Sequence, residues 1–141
     1  MIVPYDEEVR VEPSDAVRVE DPRMALEILM SSLEYFRSLD PLSAVEPGEV
    51  NQAISSASLQ IADALEIPAS DLFRRWRIYG GAAAAFKEVA EVSWLLDWES
   101  VRGRTRGDIL SVLESAVARK RVEAREWEVR NGPERARCRW I

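Results

Sequence analysis

Any side-chain chemistry in this 141-residue chain must be done without histidine, because there is none. That removes the usual general base near neutral pH and the commonest transition-metal ligand. The single cysteine, Cys138, lies between Arg137 and Arg139. These neighbours favour its thiolate but supply no base, so it reads as a spectator thiol. Ser55, Ser56 and Ser58 share that lack, and their spacing places them on the solvated face of a helix. Carboxylates three residues apart, Glu88/Glu91 and Glu123/Glu126, can share a helix face as a hard-metal or acid–base site requires, and Asp97/Glu99 lie close in sequence. Alternating with arginines, they read as solvated ion pairs instead. No Gly-rich phosphate loop of nucleotide-binding type is present. The expectation is a chain that is not an enzyme and holds no metal and no cofactor.

What remains is arginine, 17 of them against two lysines, concentrated in three segments. "FRRWRIY" interleaves Arg74, Arg75 and Arg77 with Phe73, Trp76 and Tyr79; "RGRTRG" presents Arg102, Arg104 and Arg106; the C-terminal stretch adds Arg135, Arg137 and Arg139 beside Trp140. Guanidinium forks pair with phosphates and aromatic rings stack on unpaired bases, so the three together can form a polyanion track. Each also has a plainer reading: an amphipathic helix with core aromatics, a solvated interhelical loop, and a hook for an acidic surface. The charge distribution serves both views. Residues 1–71 hold 15 acids and 4 bases, whereas 72–141 hold 10 acids and 15 bases, which together make the net −6. Such polarity suits a nucleic-acid backbone, and equally a head-to-tail stack of copies.

The first twenty residues contain Val9-Arg10-Val11-Glu12 and, eight residues later, Val17-Arg18-Val19-Glu20. A hairpin pairing the valines would set Arg10 against Arg18 and Glu8 against Glu20, and directly opposed like charges are unfavourable. An extended arm is the better expectation, with Val9, Val11, Val17 and Val19 as hooks on the chain's own bundle or on a partner, and a disordered tail the third alternative.

The elements that position these residues are all predicted to be helices. Asp21-Pro22 starts the first, and Met24, Ile28, Leu29, Leu33 and Phe36 recur at helical spacing until Asp40-Pro41. Glu46-Pro47-Gly48 opens the second, with Val50, Ile54, Ala57, Ile61 and Leu65 on one stripe up to Ile67-Pro68. Ser70-Asp71 can cap a short third helix that Gly80-Gly81 closes. The fourth runs over 82–98, its large apolar residues covering so much of the circumference that it should be the most buried. Thr105 and Asp108 form a capping pair for a long fifth helix. That helix packs in its first half and projects, or is covered by another subunit, from Arg119 to Arg130. There Trp127, like Trp140 beyond it, is a candidate interface anchor.

The expected fold is therefore all-α: roughly a five-helix bundle over 21–132, an extended N-terminal arm over 1–20 and a short basic C-terminal tail over 133–141. No apolar run approaches the roughly 18 residues of a membrane span, and "MIVPYDEE" lacks a signal-peptide pattern. With one cysteine, a reducing cytoplasm, or a virion for a structural protein, is the expected location.

Residues 58–73, "SLQIADALEIPASDLF", resemble the later helices of phage-repressor-type helix-turn-helix domains at Ile61, Ala62, Leu65, Ile67 and Leu72. These are core positions in that family, so the resemblance implies a fold fragment and no DNA-reading residue. In size, helical pattern and charge polarity the chain is also similar to the all-helical small subunits of CRISPR effector complexes, which implies a non-catalytic subunit stacked along a nucleic-acid strand. The leading expectation is such a subunit, self-associating or bound to other protein subunits and following single- or double-stranded nucleic acid through its phosphates. A structural assembly protein that contacts only protein is the alternative, and a helix-turn-helix regulator a weaker one.

Overall fold

The computed structural model describes residues 22–131. The proposed arm with Val9, Val11, Val17 and Val19 lies outside the described residues, as do Arg135, Arg137, Arg139 and Trp140.

Helix α1 (Pro22–Arg37) begins on a proline, which fits because first-turn amides need no carbonyl partner. Met24, Ile28, Leu29, Leu33 and Phe36 follow at spacings of three and four, form one stripe, and are all buried. The chain then folds back on itself. Asp40 accepts a hydrogen bond from the Leu42 amide at 3.0 Å, and Gly48, at φ 80°, turns it into α2 (Glu49–Ala64). Ser58 departs from expectation here. It is buried, and its hydroxyl donates to the Ile54 carbonyl at 2.8 Å, so a residue read as solvated satisfies itself inside the core. Helix α2 ends in Ile67 N–H to Ala62 carbonyl and Glu66 N–H to Asp63 carbonyl bonds. This is the Schellman pattern, with Glu66 at φ 61° in the left-handed position.

Helix α3 (Leu72–Glu88) starts as expected, Asp71 accepting from the Arg74 amide at 3.2 Å. It does not stop at Gly80-Gly81 but runs through both. Neither glycine has positive φ, and Gly81 is buried among Ile78, Ala82 and Ala85, so packing outweighs the local preference. The expected fourth helix is broken instead. Val89 is extended, followed by a single turn, α4 (Ala90–Ser93), a 3-10 turn (Trp94–Leu96), extended Asp97, and another single turn, α5 (Trp98–Val101). Phe86, Val89, Val92, Leu95 and Val101 are all buried, and with half-buried Trp98 they recur every third residue. A straight α-helix would rotate such a series by about 60° per step off the core. The break keeps them facing inward.

Thr105 and Asp108 cap α6 (Arg106–Asn131) reciprocally, the Thr105 amide to Asp108 at 3.0 Å and the Asp108 amide to the Thr105 hydroxyl at 3.2 Å. Helix α6 does not project. It runs antiparallel to α1 along that helix's whole length, tied by Arg23 to Glu128 at 3.4 Å, by Arg121 to the Met30 sulfur at 4.0 Å, and by Arg37 to Glu114 at 3.9 Å. On each helix these ties fall seven residues apart, the repeat of a coiled-coil seam. Central in the bundle is α1, which packs on α2, α3 and most extensively α6. The expected five helices are thus four long helices and two single turns among the described residues, and the fold is all-α. None of these helices is long and apolar enough to cross a membrane.

Candidate interaction surfaces

Arginines placed in the first two basic segments are largely held by the protein itself. Arg75 closes the turn between α2 and α3, donating to the Pro68 carbonyl at 2.9 Å, the Ile67 carbonyl at 2.6 Å and Asp63 at 3.1 Å. Arg74 lies 4.0 Å from Asp71, and one terminal nitrogen of Arg77 is buried without a hydrogen-bond partner. In the loop before α6, Arg104 stacks over the Trp94 ring at 4.7 Å and donates to the Ser100 carbonyl at 3.0 Å. Arg106 pairs through two nitrogens with Glu49, one of them at 3.1 Å, and with the Ser43 hydroxyl. The Glu49 hydrogen bond holds the guanidinium above the ordinary arginine pKa, against the lowering effect of burial. Arg102 is exposed, 3.7 Å from Glu99. Trp127 is half-buried beneath Arg23, 4.3 Å from the guanidinium.

These two segments do not form one track. Arg75 is tied to Asp63 and Arg106 to Glu49, 14 residues apart on α2, so they sit about 21 Å apart at opposite ends of that helix. Glu49 was not legible as Arg106's partner, because 57 residues separate them. A cleft beside this pair is lined by Tyr35, Gln52 and Glu46 as well as Glu49 and Arg106; its central charges already satisfy one another. Among the described residues no group of three or more Cys, Asp or Glu side chains is placed to hold a metal ion.

The apolar exposure is more informative. Leu72 is 73% exposed and Trp76 66% exposed, one turn apart on α3, and the same face continues through Gly80, Ala84 and Lys87, all exposed. Leu72 therefore leaves the core position that the helix-turn-helix resemblance implied for it, while Ile61, Ala62 and Ile67 keep theirs. The interleaved pattern of "FRRWRIY" also sorts differently from either expectation: Trp76 faces solvent, and Tyr79 and Arg75 turn toward the protein. On α6 a second outward stripe comprises Ser111, Ser115, Ala118, Val122, Arg125 and Val129. Its spacings of four and three repeat the inner seam on the solvent side, with Val122 and Val129 both exposed. No protein-family model, curated protein or solved structure matches the chain.

Proposed function

We propose that the protein is a non-catalytic assembly subunit, which works by presenting helix faces to other chains. One observation carries this reading: of the seven large apolar side chains exposed among the described residues, four lie as pairs on two helix faces, Leu72/Trp76 on α3 and Val122/Val129 on α6, while Met30, Leu42 and Leu59 stand apart. Exposed apolar residues scattered singly are ordinary, whereas grouped ones mark contact surfaces. The test is the size of the native species. From its natural source, the protein is expected to elute in a complex well above its own 16.0 kDa, and Trp76→Glu or the pair Val122→Glu, Val129→Glu to release it. Elution as a lone 16.0 kDa chain would sink the reading.

A second reading adds contact with a nucleic-acid backbone. Arg125 and Arg130 on α6 are exposed and have no ion-pair partner among the described residues, and Arg102 has only the exposed Glu99, a pairing of little energetic value. Fluorescence polarisation with labelled single- and double-stranded oligonucleotides tests it. Saturable binding is expected to fall steeply between about 50 and 200 mM salt and to weaken in a variant with Arg102, Arg125 and Arg130 changed to alanine. No binding at the lower salt removes nucleic acid from the proposal.

A further inference from the structure

We propose that the outward face of α3 is a homotypic contact, in which two copies of this chain pair through antiparallel α3 helices crossing at Gly80. The proposal rests on the assembly reading and names the partner of one of its faces. Volume along this face is graded: Leu72 and Trp76 at the N-terminal end, Gly80 and Ala84 toward the C-terminal end, all exposed. A parallel partner would set tryptophan against tryptophan. An antiparallel copy crossing at Gly80 sets each Trp76 over the other copy's Ala84, since both lie four residues, or about 6 Å, from the crossing point. Large against small is what close packing requires, and the two-fold relation makes the surface complementary to itself.

Two further features agree. A β-carbon at Gly80 would meet nothing within 4 Å, so the chain's own fold gives no steric reason for glycine in this helix interior. Close approach of a second backbone does. Lys87, the cation of the face, has no ion-pair partner among the described residues, and the crossing carries it toward the first turn of the other copy, where Asp71 caps the helix.

Sedimentation of the full chain from about 1 μM to 1 mM, a span that brackets weak and moderate dimers, is expected to show a monomer–dimer equilibrium. Trp76→Glu should leave a monomer throughout with unchanged helical circular dichroism, because that side chain is mostly exposed. In a Cys138→Ser background, Gly80→Cys should give a disulfide-linked dimer on mild oxidation. Facing residues of helices 8–10 Å apart have Cα atoms about 4–5 Å apart, close to what that bond spans. A wild-type monomer over the whole range overturns the pairing, as does a dimer indifferent to Trp76→Glu. Crosslinking through Val122→Cys but not Gly80→Cys also overturns it, while leaving the assembly reading intact with its contact on α6. Failure of the assembly reading itself is seen separately, in the size of the native species.

Discussion

Arg106 shows how one side chain can look like a ligand-binding group and serve as a pin. Its guanidinium joins Glu49 at the start of α2 to Ser43 in the preceding loop, and its backbone amide donates to the Ser43 carbonyl at 2.9 Å. Arg106→Ala strands a carboxylate that is only 6% exposed. A marked fall in the denaturation midpoint is expected, larger than for Arg102→Ala, which should be silent. Urea titrations of both variants check this. Because the pair raises the arginine pKa, its contribution is fully present below the ordinary arginine value and is lost only as pH rises through the higher folded value. The stability difference between wild type and Arg106→Ala should therefore be flat from neutral pH into mild alkali. A joint alanine change at Arg102, Arg104 and Arg106 would confuse loss of binding with loss of fold. Linear sequence shows that three arginines are close together, and not which of them a distant carboxylate has already engaged.

Among the elements, helix starts were legible and helix interiors less so. Asp71 and the Thr105/Asp108 pair act on amides three residues away, so their meaning is local and survives folding. Gly81 and the every-third apolar series from Phe86 to Val101 take their meaning from the core they meet, which no window of sequence contains. Two substitutions follow from this contrast. Glu66→Gly, at a left-handed helix end, should stabilise by about 1 kcal/mol, because a β-carbon there is strained and glycine is the residue the motif favours. Gly80→Ala should stabilise by about 0.5–1 kcal/mol, as expected for an exposed helix interior with open space at the β-carbon. A helix-ending Gly80 would give the opposite sign. Thermal unfolding measured on the dilute monomer reads both.

At the scale of the whole molecule, the all-α class followed from apolar periodicity, whereas the candidate surfaces did not. Trp76 lies in a run of alternating aromatics and arginines, and only the packing of α3 on α1 and α2 decides which of those side chains turn outward. The same holds for α6, whose charge-laced second half suggested a projection. Its ties to α1 at Arg23, Met30 and Arg37 make it one side of a two-helix seam. Because that seam is antiparallel, its open ends, Pro22 and Asn131, lie side by side at one pole. Force applied through them opens the buried apolar seam turn by turn, from the Arg23–Glu128 end toward the Arg37–Glu114 end, as a zipper is opened and not as a lap joint is sheared. Held in an optical trap by residues 22 and 131, the bundle should yield at low force and in steps, a rate-governed weakness that attachment across α2 and α3 would not expose.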